Sequence, residues 1–170
     1  MFDQLLSLVK ENSETDIIGN DAIPNQRNDE AVELATQSIS ETFRNALQSG
    51  NTADVMQMFN NGGNVSSLPL TQNIQGNFID NLMQKFGLSN AQAGGIASSL
   101  IPMVLGKLVN RTNDPNDNNF NISSILGGLG GSGFDVSSVL SQFGLGSSHQ
   151  NGNNQESGGI LDSLKNILGK

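Results

Sequence analysis

One stretch limits what this chain can fold into more than any other: residues 78–108, FIDNLMQKFGLSNAQAGGIASSLIPMVLGKL. In its first half Phe78, Ile79, Leu82, Met83 and Phe86 recur at three- and four-residue steps, with Asp80, Asn81, Gln84 and Lys85 between them. Residues so spaced share one face of an α-helix. Gly87 stands where a helix ends in a left-handed residue, Leu88 can fold back onto the last turn, and Ser89 can cap the helix that follows. That second helix carries Ala93, Ile96, Leu100, Ile101, Val104, Leu105 and Leu108. It is apolar round most of its circumference, which predicts a buried helix on which the others pack. Pro102 lacks an N–H and crowds the carbonyl four residues back, which predicts a kink. The pair Gly94–Gly95 predicts that another helix crosses closely there.

Upstream, Phe2, Leu5, Leu6 and Val9 trace one face of a short helix. Residues 11–27 are polar and broken by Gly19 and Pro24, which predicts a loop with an apolar plug at Ile17 and Ile18. A helix starts at Asn28, where Asp29, Glu30 and Glu33 complement the helix dipole, and Ala31, Val32, Ala35, Ile39, Phe43 and Leu47 form its stripe. Gly50 stops it. Asn51 and Thr52 introduce a shorter helix with Val55, Met56 and Phe59 facing inward, residues 60–67 form a loop, and Pro69 suits the first turn of the helix leading into Phe78. Gly76 is expected to loosen that helix near its middle.

Beyond Leu108 the composition changes. Residues 110–119, NRTNDPNDNN, form a polar connector, and an internal repeat follows. FNISSILGGLG (120–130) and FDVSSVLSQFG (134–144) align without gaps, Phe134 falling 14 positions after Phe120. Each unit reads as a Phe, an Asn or Asp cap, a short amphipathic helix and a Gly. GGILDSLKNILGK at the end echoes the pattern with Ile160, Leu161, Leu164, Ile167 and Leu168 on one side. Helices this short are marginal alone in water, so they must lie on the main bundle or find a partner. The intervening Gly/Ser/Asn/Gln-rich residues 146–159 are expected to be disordered.

Composition removes several classes of function. The hydrophobic fraction is 35%, low for a wholly packed chain, so part is packed and part is not. Net charge is −8 with only 8 Lys plus Arg, which leaves little to neutralise a nucleic-acid backbone or an anionic membrane surface. The helix-turn-helix spacing of 78–101 therefore reads as a packing motif, since Ser89–Gly95 offers no basic residue to phosphate. There is no Cys, and His149 is the one histidine, so thiol chemistry, His-based triads and His or Cys metal sites lack material.

Gly128, Gly130 and Gly133 match a dinucleotide fingerprint without the strand it requires. Asp114, Asn116 and Asn118 open like a calcium loop, but Asn119 replaces its glycine and Ile125 its bidentate glutamate. Asp29, Glu30 and Glu33 serve the helix start. The N-terminus has no basic region and its apolar run ends too soon for a signal peptide, and no stretch approaches the ~18 apolar residues that a membrane span needs, so a cytoplasmic location is expected.

The segments KFGLS (85–89), 91–96, LIPMVL (100–105) and TNDPNDNNF (112–120), with MFDQLLSLV at the start and the Gly-rich helical repeats, resemble the bacterial YidB-like family, a domain of unknown function. That resemblance implies an all-α bundle with a homeodomain-like helix arrangement and no established activity. It carries over no functional residue.

The resulting expectation is an all-α protein: a small helical bundle with a homeodomain-like helix-turn-helix core and a Gly-rich tail of short amphipathic helices. Residues 1–110 form the bundle, 111–119 a polar linker, 120–145 the repeated helices, 146–159 the low-complexity segment and 160–170 a C-terminal amphipathic helix. The expected function is non-enzymatic, protein interaction or self-association, with no cofactor, no metal and no catalytic residue. Its anchors are Phe120, Ile122, Ile125, Leu126, Phe134, Val136, Val139, Leu140 and Phe143, docking helix-in-groove on this chain or a partner. The alternative is a small-ligand or weakly enzymatic pocket beside Pro102 and Gly94–Gly95.

Overall fold

In the computed structural model, residues 2–60, 64–114, 116–117, 120, 122–130, 137 and 141 are described. Their regular elements are all helical: α1 (Phe2–Glu11), a π-helical turn (Glu14–Ile18), a 3-10 turn (Asn25–Arg27), α2 (Asn28–Gln48), α3 (Thr52–Asn60), α4 (Pro69–Phe86), α5 (Asn90–Asn113) and α6 (Ile122–Gly130).

The helix at the centre is α2. α1, α3, α4, α6 and both short turns pack against it. Between Ala31 and Phe43 only Glu33 and Glu41 are exposed. The sequence singles out α5 for this place, and the structure differs. α5 makes its most extensive contact with α4 and touches α1, α3 and the π turn, while Ala91, Gln92, Gly95, Ser98, Ser99 and Met103 remain exposed.

The reason lies in four residues outside the apolar stripe of α2. Thr36, Ser38, Ser40 and Thr42 are all buried. Three of them spend their hydroxyls inside the helix: Thr36 Oγ1 donates to the Val32 carbonyl at 2.9 Å, Ser38 Oγ to Leu34 at 2.9 Å and Thr42 Oγ1 to Ser38 at 2.8 Å. A hydroxyl satisfied four residues back leaves a small side chain that a neighbouring helix can cover. α4 covers two of them, with Asn77 Nδ2 donating to Thr42 Oγ1 at 2.9 Å and Asn81 Nδ2 to Ser38 Oγ at 3.2 Å.

Around α2 the apolar residues form one core. Phe43 of α2 meets Phe59 of α3 with ring centroids 6.1 Å apart and planes tilted 39°. Phe78 and Leu82 enter from α4, and Ile96, Leu100, Ile101, Val104, Leu105 and Leu108 from α5, all buried. Burying side chains of this size stabilises by roughly 1.5–3 kcal/mol each.

The helix ends follow local chemistry. Gly50 (φ 81°) closes α2, with the Asn51 amide donating to the Ala46 carbonyl at 2.8 Å. Gly87 (φ 68°) closes α4 and donates to the Met83 carbonyl at 3.1 Å. Ser89 then caps α5 in a reciprocal box with Gln92: the Gln92 amide donates to Ser89 Oγ at 3.3 Å, and the Ser89 amide to Gln92 Oε1 at 3.0 Å. Among the described residues, Gly50 and Gly87 are the glycines with a left-handed backbone.

Several local expectations need correction. The buried face of α1 is Leu5, Leu8 and Val9, with Leu6 only partly buried and Phe2 39% exposed, so the helix is turned toward Leu8. Of the plug, Ile17 is fully buried and Ile18 is 41% exposed, since a single tight turn aims only one of two successive side chains inward. Neither Gly76 nor Pro102 ends its helix: α4 is helical through the first and α5 through the second. Among the described residues no helix crosses at Gly94–Gly95: a Cβ built on either meets nothing within 4 Å. α5 continues to Asn113, three residues into the stretch expected to be linker, and the core takes in Phe120, Ile125 and Leu126 beyond it. By mean hydropathy, 1.2 over an 18-residue window, α5 also meets the length and composition of a membrane span, although half of that window is buried in the bundle.

Because Gly94 and Gly95 face open space in a helix, Gly94→Ala and Gly95→Ala should each raise unfolding free energy by about 0.5–1 kcal/mol, from the helix preference of alanine alone. Urea denaturation measures this. A loss of stability in either variant would mean that a neighbour does lie against that patch.

Candidate functional site

The C-terminal segment places its first repeat on α2. Leaving α5, the chain makes a tight turn in which the Asn116 amide donates to Asp114 Oδ1 at 2.9 Å and the Asp117 amide to the Asp114 carbonyl at 3.1 Å. Phe120 follows at 5% exposure. α6 then packs against α2 with Ile125 and Leu126 fully buried and Ile122 packed partly against the core. On its outer side Ser123, Ser124, Gly127 and Gly128 are exposed. Four of the nine expected anchors therefore come together in one seat: Phe120, Ile122, Ile125 and Leu126. The other five, Phe134, Val136, Val139, Leu140 and Phe143, lie outside the described residues, as do the low-complexity segment and the C-terminal amphipathic helix.

An arginine holds the entrance of this seat, and composition gave no signal for it. Arg111, in the last turn of α5, sets its Nε 3.2 Å from Asp117 Oδ2 and its guanidinium carbon 4.6 Å above the Phe120 ring. The Asp117 side chain is 17% exposed, so the pair is partly withdrawn from water. Stacking of this kind contributes about 0.5–1 kcal/mol and the ion pair up to about 1 kcal/mol. The sequence signal is the spacing Arg111, Asp117, Phe120 across a turn, which an apolar-periodicity reading passes over.

The same device occurs a second time. Arg27, just before α2, lies 4.1 Å over the Phe86 ring, pairs with both Glu30 oxygens at 2.8 and 3.0 Å, and donates to the Lys85 carbonyl at 3.0 Å. It fastens the start of α2 to the end of α4. The hydrogen bond to Glu30 raises the Arg27 pKa, and its counterpart lowers that of Glu30. Glu30 thus belongs to an interhelical tie, in addition to the helix-start role of its neighbour Asp29, which pairs with Lys10 at 3.0 Å.

A cleft of about 280 Å³ opens where the end of α2 meets the starts of α3 and α4. Thr42, Asn45, Ser49, Asn51, Asp54, Asn73 and Asn77 line it above Ala46 and Leu70. Among the described residues that line it, Asp54 is the one ionisable side chain, and the other polar residues offer hydrogen bonds. None of its residues is Gly94, Gly95 or Pro102, the place where the sequence suggested a pocket. Among the described residues no three His, Cys, Asp or Glu side chains gather closely enough to hold a metal ion.

The chain matches no family model, no curated protein and no solved structure.

The Arg27–Glu30 pair sets the sign of one pH effect. Its carboxylate has a lower pKa folded than unfolded, so its contribution is complete above the unfolded value and is lost as pH falls through the lowered one. A carboxyl-carbon NMR titration should place the Glu30 midpoint below the ordinary glutamate range, and Arg27→Ala should return it there. An ordinary midpoint in the unsubstituted protein would show that the pair does not persist in solution.

Proposed function

We propose that this chain is a non-enzymatic interaction module in which a helical bundle presents a seat on α2 for short amphipathic helices, and its C-terminal repeats supply such helices for self-association or for a protein partner. The observation that supports the reading is the complete burial of Ile125 and Leu126 in a segment whose pattern the chain repeats. A helix of nine residues is too short to persist alone, so its stability comes from the surface that it occupies. Recognition of this kind rests on apolar anchors three and four residues apart entering a groove. Val136, Val139, Leu140 and Phe143 have that spacing in the second unit, with Phe134 two positions ahead of them.

The homeodomain-like relation of α4 to α5 and membership of the YidB-like family belong to this proposal. They rest on KFGLS, LIPMVL and TNDPNDNNF and on the capped turn between the two helices. The scarcity of basic residues directs the partner search to proteins rather than nucleic acid.

Light scattering over a concentration series tests the proposal, on the full chain and on one ending at Gly130, which keeps α6 and so leaves the core closed. The full chain should gain mass with concentration, while the shortened chain stays monomeric and equally stable. Identical monomers in both, with no protein partner that requires residues 131–170, would overturn it.

A further inference from the structure

The cleft between the end of α2 and the starts of α3 and α4 is rich in hydrogen-bond acceptors with nothing to accept. Thr42 Oγ1 donates its proton to the Ser38 carbonyl at 2.8 Å, so toward Asn77 it acts as an acceptor only. The Asn77 amide therefore turns Nδ2 to Thr42, at 2.9 Å, and its Oδ1 is left over as an acceptor held in one orientation. In the same cleft Asp54, half-buried in the first turn of α3, has neither a hydrogen bond nor an ion pair with any described residue. Helix ends contribute about half a charge each, negative at the end of α2 and positive at the starts of α3 and α4, so their sum falls short of the full charge on Asp54. Among the described residues that line the cleft there is no lysine, arginine or histidine, and the chain as a whole carries a net charge of −8. The cleft is thus negative and lacks a cation of its own.

We propose that this cleft binds a small hydroxylated ammonium compound, with the ammonium paired to Asp54 and the hydroxyls held by Asn77 Oδ1 and the amides of Asn45, Asn51 and Asn73. An ammonium only donates, so it needs acceptors that are fixed and unspent, and a carboxylate is the strongest of these. A hydroxyl both donates and accepts, as a carboxamide does, so neutral amides around the carboxylate suit the rest of such a molecule. An anion would meet Asp54 with no cation to hold it. Size narrows the class further: about 280 Å³ lies just below the range of clefts that hold drug-sized ligands, which leaves room for a molecule of about one sugar ring. Ala46 and Leu70, both buried, give its C–H face an apolar floor. No residue of α6 lines this cleft, so the inference does not rest on the docking of that helix.

Amide NMR titration of the full chain tests it with three probes of one ring size: glucosamine with its amine protonated, glucose and glucuronate. Glucosamine should give saturable shifts centred on Ser49, Asn51, Asp54, Asn73 and Asn77. It should bind at least about tenfold more tightly than glucose, the worth of a hydrogen bond to a charged group. Glucuronate should shift none of these residues. Asp54→Asn should bring glucosamine down to the level of glucose. Asn73→Asp, which adds a second carboxylate at an exposed position of the same cleft, should widen the difference, and the dispersion of the same spectra reports that each variant is folded. Absence of saturable glucosamine shifts at the cleft would overturn the proposal. So would a preference for glucosamine that neither variant changes, or equal shifts with all three probes.

Discussion

The bundle depends on a hydroxyl bonding back along its own helix. A helix with partners on every side ordinarily needs an all-round apolar surface. α2 is instead buried on faces that carry Thr36, Ser38 and Thr42, each tied to the carbonyl four residues earlier. Removing a polar group from water without a partner costs about 1–3 kcal/mol, and these internal bonds avoid that cost while keeping the side chains small. Ser40 is the exception, its buried Oγ having no hydrogen-bond partner among the described residues. α4 adds a second layer through Asn77 and Asn81, which bond to the same hydroxyls from a neighbouring helix. Since both amides and both hydroxyls are four residues apart, the ladder fixes the sliding register of α4 on α2, which apolar contact alone leaves loose.

This explains which parts of the fold were legible in the sequence. Helix ends were, because Gly50, Gly87 and Ser89 act through chemistry local to a few residues. The apolar stripes of α3 and α5 were legible for the same reason that periodicity works, each having one dominant buried side. In α4 Phe78 and Leu82 are buried, Ile79 and Phe86 are partly buried, and Met83, counted in the stripe, is 36% exposed. The identity of the central helix was not legible. Apolar counting ranks α5 above α2, because it scores Ser and Thr as solvent-facing and cannot see a hydroxyl bonded inside the helix. Gly94–Gly95 misled in the opposite direction, since small residues on a helix suit a close crossing but do not require one.

The candidate site divides along the same line. The anchors Phe120, Ile122, Ile125 and Leu126 followed from spacing; the α6 residues pack on α2, and Phe120 joins the core beneath Arg111. Arg111 did not, since its partners lie across a turn whose geometry a sequence pattern does not carry. Two arginines, each over a phenylalanine and beside a carboxylate, fasten the two places where a chain end or turn must be held against the bundle. These are surface devices worth little in isolation. They tie the start of α2 to the end of α4, and the turn after α5 to Phe120.

The central claim is that α2, and not the more apolar α5, is the helix the rest is built on. Native-state amide hydrogen exchange measures it directly, because the segment that opens only with global unfolding reports the full stability of the fold. The account predicts that the amides between Ala31 and Leu47 exchange slowest, with free energies equal to that of global unfolding and at or above those of α5. Exchange of the middle of α2 through a smaller opening, while Leu100 to Leu108 in α5 stays protected, would contradict it.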